Sequence, residues 1–196
     1  MISRTRSSVT SLATLSLALA PVLAQAHPGH DTSGFAAGVS HPIHGLDHIL
    51  AMVAVGLWAV QLGGRAKWLV PASFVSVMAI GGALGMAGIA LPFAEQGILA
   101  SVLILGVLIA AAVRLPLAAS VSLVGLFALC HGHAHGLEMP GTAAGFEYGA
   151  GFVLATALLH VSGIMLGLMI QRFAEGRWLR ATGVAVCAAS AFLFLN

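Results

Sequence analysis

Charge is scarce in this chain, with eight Lys and Arg and six Asp and Glu among 196 residues. Charged residues make up 7% of it, against about 25% in soluble domains, so a water-soluble globular protein is excluded. Cysteine is almost absent. Cys130 and Cys187 lie far apart, which argues against a disulfide framework and leaves both as small, buried apolar residues. No G-x-x-x-x-G-K-[ST] phosphate loop occurs, so ATP hydrolysis by this chain is not expected. No His-Glu-x-x-His run occurs either, which removes one common zinc-hydrolase signature. The net charge of +2 is confined to a few basic stretches, and no nucleic-acid partner is expected.

What the chain has in place of charge is apolar length: 59% hydrophobic residues and a mean hydropathy of +1.02. Runs of about 20 apolar residues recur, each long enough to cross a hydrocarbon core of about 30 Å. The expected fold class is all-α, a polytopic membrane protein with the lipid bilayer as its surroundings. Arg4 and Arg6, the apolar stretch "VTSLATLSLALA" and the small-residue site "AQA" read as a signal peptide over 1–26, cleaved after Ala26. Residues 27–196 then form a single transmembrane domain. Six spans are expected, at about 42–61, 68–91, 97–113, 116–132, 145–171 and 178–195. Pro42 suits a first helical position, and Pro71 and Pro116 suit first turns. Gly81 with Gly85, Gly145 with Gly149, and Gly163 with Gly167 repeat the small-x-x-x-small spacing of packed membrane helices.

An exported N-terminus places the first inter-helix loop in the cytoplasm, and sides alternate from there. Arg65, Lys67, Arg114, Arg172, Arg177 and Arg180 then all fall in or beside cytoplasmic loops, as the positive-inside bias requires. The expectation is a multi-pass protein of the bacterial inner membrane with both termini periplasmic. On that map the potential metal ligands gather outside. His41, His44, Asp47 and His48 occupy the outer turns of the first span, and a straight helix would set His41, His48 and Met52 nearly in line. "CHGHAHGLE" reads as the fourth span ending near His131, with a loop carrying His133, His135 and Glu138. Glu147 opens the fifth span without a basic partner. His160 lies near the midplane, with Thr156 one turn away as a candidate hydrogen-bond partner. The exported "HPGHD" tail adds His27 and His30. Imidazole and carboxylate at this density suit divalent nickel, cobalt, zinc or copper.

"HPIHGLDHILAM" resembles the His-Pro-x-x-Gly-x-Asp-His-x-Leu-x-Met motif of the HupE/UreJ family of nickel/cobalt permeases at every fixed position. "HGHAHGLE" and "GFVLATALLHVSG" resemble the family's second and third motifs, and His44 falls at a variable position of the first. The resemblance implies a secondary transporter that carries Ni2+ or Co2+ from periplasm to cytoplasm and holds no permanent cofactor. It further implies a functional link to hydrogenase, urease or cobalamin metallation, and leaves a homo-oligomer open. The competing class is an intramembrane metal-dependent enzyme of zinc hydrolase or protease type. A serine–histidine pair of Ser162 and His160 does not suit it, because residues two apart face different sides of a helix.

Overall fold

The computed structural model describes residues 34–139, 143–174 and 176–195. All regular structure among them is helical: α1 Gly34–His44, α2 Leu46–Leu62, α3 Ala66–Met86, α4 Ala94–Ala110, α5 Leu117–Glu138, α6 Ala143–Phe173 and α7 Gly176–Leu195. Four of these, α3, α5, α6 and α7, are long and apolar enough to cross a membrane. The pair α1 and α2 makes a fifth candidate if taken as one span, bent by 81° at its break. The remaining helix, α4, is apolar but only 17 residues long. The signal-peptide stretch, His27 and His30 lie outside the described residues.

Two boundaries differ from expectation. The first span is not one straight helix from Pro42. A separate helix, α1, precedes it; Pro42 lies inside α1, two residues from its end, and the chain breaks at Gly45. Pro42 has no N–H to give Gly38, and Gly45 adopts an extended conformation (φ −90°, ψ 113°) that restarts the helix in a new direction. The fourth span does not stop near His131 either. It continues as α5 to Glu138, so His133, His135 and Glu138 are helical residues and not part of a loop.

The reason lies in packing. Gly132 and Gly136 of α5 lie against Met78 and Gly82 of α3, while Gly81 and Gly85 of α3 lie against the Leu129 and His133 carbonyls of α5. Backbones meet along this seam without intervening side chains, the arrangement small residues permit where lipid supplies no hydrophobic drive. A second seam joins α2 to α6, with Gly56 against the His160 carbonyl and Gly163 against Val53. At the opposite end from the histidines, Trp58 Nε1 donates to the Val113 carbonyl (3.1 Å), Gln61 Nε2 to Ile109 (3.1 Å) and Arg180 Nε to Ala110 (2.8 Å). Every Lys and Arg of the described residues belongs to this end, beside the α2–α3, α4–α5 and α6–α7 connections. Cys130 and Cys187 are free and half-buried.

A Cβ at Gly132 would overlap the Met78 carbonyl oxygen, whereas one at Gly125 of the same helix meets only Val77 Cγ2, at 3.7 Å. Gly132→Ala is expected to cost about 1–3 kcal/mol and lower the melting temperature in detergent, with Gly125→Ala close to wild type. Equal melting of the two variants would remove the seam as the reason α5 stays helical.

Candidate metal centre

Three helix ends converge at the pole away from the basic residues. His41 comes from the last turn of α1, His48 from the first turn of α2, and His135 from the last turn of α5. One ring nitrogen from each lies within 4.8 Å of the others. The His48–His135 and His41–His135 ring centroids are 4.4 and 4.6 Å apart, and the Nε2 atoms of His48 and His135 face each other. The break at Gly45 makes this meeting, since it turns α1 so that His41 comes round to the start of α2.

Two carboxylates stand behind the imidazoles. Asp47 Oδ1 is 2.8 Å from His48 Nδ1, a charge contact outside hydrogen-bond alignment, and it occupies the first turn of α2, where the helix dipole favours an acid. Glu138 Oε2 is 3.4 Å from His135 Nδ1 and 3.7 Å from His41 Nε2, and its side chain is 59% exposed. A carboxylate at Nδ1 orients the ring and leaves Nε2 facing the centre, the usual support for a metal-ligating histidine. Tyr148 and Phe152 of α6 wall the site, Phe152 at 4.7 Å from the His135 ring. His41, His44, Gly45, His48 and Tyr148 line a cavity of about 470 Å³ beside it.

Below this trio the imidazoles continue inward. The His131 ring is 5.6 Å from His48, and its Nδ1 donates to the Phe127 carbonyl at 2.9 Å. His160 Nδ1 donates to the Met52 carbonyl at 2.7 Å. Both rings are buried, at 0% and 1% exposure, and the Nε2 of each has no hydrogen-bond partner. An unmet buried polar atom costs about 1–3 kcal/mol, so two in succession along one path suit a ligand that is sometimes there. Thr156 does not hydrogen-bond His160, as the sequence suggested; its hydroxyl points to Met78 Sδ at 3.6 Å.

Other candidates fall elsewhere. His44 is exposed and its Nδ1 bonds the Ser40 carbonyl at 2.7 Å, outside the trio, because the helix ends at that residue. His133 turns to the opposite side of α5, where its Nε2 donates to the Ile89 carbonyl at 2.6 Å. Glu147 is exposed on α6, and Met52 is fully buried in the core. Ser162 Oγ donates to the Leu159 carbonyl at 2.7 Å on an exposed face, so it makes no pair with His160.

The family model described as HupE / UreJ protein matches residues 15–193. The chain belongs to the HupE/UreJ family. A relative, Protein HupE of Rhizobium leguminosarum bv. viciae, is 49% identical over 189 residues, covering 95% of this chain and 96% of the relative. No solved structure matches. The HupE/UreJ family consists of transporters of the nickel/cobalt type, not enzymes, and its members are multi-pass proteins of the inner membrane. The zinc-hydrolase alternative is set aside on that ground.

Tyr148, Phe152 and Phe74 escaped the sequence reading. The first two carried a signal: Tyr148, Phe152, Thr156 and His160 recur every four residues and so share one stripe of α6. Phe74 carried none, since nothing in its own helix marks it apart from other apolar residues. Gly45 has a second role here, because a Cβ on it would sit 2.9 Å from Asp47 Oδ1 and 3.0 Å from His48 Nδ1. Gly45→Ala is expected to weaken nickel binding by the purified protein about 10–100-fold with little change in melting temperature. An unchanged binding isotherm would separate Gly45 from the site.

Proposed function

We propose that this chain is a secondary transporter that imports a divalent transition metal, Ni2+ first and Co2+ second, from periplasm to cytoplasm. One observation carries the reading: three imidazoles from three helices offer ring nitrogens within 4.8 Å of one another, at the pole opposite all the described basic residues. Imidazole with supporting carboxylate suits these ions. The basic pole faces the cytoplasm by the positive-inside bias, which puts the histidine pole outside and both termini with it. In this reading α1 with α2 counts as the first span and the short helix α4 as the third, for six in all.

His41, His48 and His135 take the ion from water, with Asp47 and Glu138 holding the rings and offsetting its charge. His131 and His160 carry it inward. His44 and Glu147 lie at the mouth without joining the trio, and His133 pins α5 to the α3–α4 connection. A divalent cation gains about 4.6 kcal/mol per 100 mV on moving to a negative interior, enough to drive accumulation without ATP. Each stop must bind with moderate strength or the ion would not leave.

Radiolabelled nickel uptake into expressing cells tests this. His48→Ala and His135→Ala are expected to abolish uptake at equal protein level in the membrane, while His44→Ala and His133→Ala retain most of it. Wild-type uptake by His48→Ala and His135→Ala together would sink the assignment. Uptake in the wild type is also expected to fall in acid, because a protonated imidazole has no lone pair for metal. Cobalt, zinc and copper as competitors rank the cargo.

A further inference from the structure

The imidazoles form a ladder with one rung of a different kind. From outside inward, successive ring centroids run His41 to His135 (4.6 Å), His135 to His48 (4.4 Å), His48 to His131 (5.6 Å), His131 to Phe74 (5.3 Å) and Phe74 to His160 (4.8 Å). Phe74, on α3, is fully buried and meets both imidazoles edge to face, at interplanar angles of 61° and 84°. A benzene ring offers no lone pair. The ring contacts that link His131 to His160 therefore pass through a group that cannot ligate an ion.

We propose that His131 and His160 form a second cation station, deeper than the outer trio and distinct from it, with the Phe74 ring as a wall that must swing aside before both imidazoles reach one ion. The proposal rests on the transport reading above. His131 is not among the residues whose ligand atoms cluster at the mouth, although its neighbour one turn on, His135, is. Its Nδ1 and that of His160 are each committed to a backbone carbonyl, Phe127 and Met52 respectively. A carbonyl only accepts, so both Nδ1 atoms carry the proton and both Nε2 atoms carry the lone pair. These two Nε2 atoms are buried without partners, on helices α5 and α6, and both rings pack on the same phenyl group. Rotation of Phe74 about its side-chain torsions would open the space between them to one ion. Two nitrogens are few ligands for a divalent cation, and water would complete its shell. A low ligand count gives the weaker binding that a transit step needs.

The test is equilibrium dialysis of labelled Ni2+ against the purified full-length protein in detergent, followed by the time course of loading. Wild-type protein is expected to bind two ions, one tightly and fast, one weakly and slowly. His131→Gln and His160→Gln should each lose the weak ion and keep the tight one at unchanged affinity. His48→Ala should do the reverse. Phe74→Ala should keep both ions and lose the slow phase. A single ion per wild-type chain, or a weak ion that survives both glutamine substitutions, overturns the deeper station and leaves the outer one standing. A slow phase that persists in Phe74→Ala removes the phenyl ring as the wall. Absence of any bound nickel in well-folded wild-type protein overturns the transport reading itself.

Discussion

A neutral imidazole has one donor and one acceptor, and inside an apolar bundle there is no water to take the donor. That constraint arranges the histidine pole. His131 and His160 give their Nδ1 protons to the Phe127 and Met52 carbonyls, His135 turns Nδ1 toward Glu138, and His48 turns Nδ1 toward Asp47. In all four Nδ1 faces a protein oxygen; Nε2 is without a partner in His131 and His160, while those of His48 and His135 face each other. His133 is the contrast: it spends Nε2 on the Ile89 carbonyl and faces away. The difference between His133 and the other two histidines of α5 thus lies in which ring nitrogen meets a protein acceptor, not in the spacing of the motif.

Helix placement serves those bonds. His160 can reach the Met52 carbonyl because Gly56 and Gly163 let α2 and α6 approach backbone to backbone. His131 and His135 flank Gly132, whose contact with Met78 sets the depth of α5 against α3. Gly45 has the opposite effect, separating two helices so that His41 and His48 approach from different directions. The glycines near these histidines are therefore part of how the rings are aimed.

Much of this was legible in the residues. The apolar runs, the grouping of basic residues at one pole and the gathering of histidines at the other followed from composition and alternation. The break at Gly45 was not legible, because an apolar helical pattern runs through it and only the fold shows that α1 leans on α6, with Gly34 and Gly38 against Ala144 and Tyr148. The continuation of α5 past His131 was hidden for a related reason. Alternating histidine and glycine looks like an exit turn until α3 supplies the surface that pays for keeping it helical. His44 illustrates the limit of helical-wheel reasoning, which presumes a straight axis across the very residue where this one bends.

The helices also differ in length. At 1.5 Å per residue α4 extends about 26 Å and α6 about 46 Å, against a hydrocarbon thickness of about 30 Å. On the six-span reading proposed above, one side of the bundle is short for the bilayer and another long, so that the membrane would thin around α4 while α6 would tilt or stand proud of the lipid at its N-terminal end, next to the histidines. Hydrophobic mismatch of both signs on one small body makes acyl-chain length a mechanical load on it. The leaflets are then a participant in the geometry of the mouth, pressing on the same helix that carries Tyr148, Phe152 and His160.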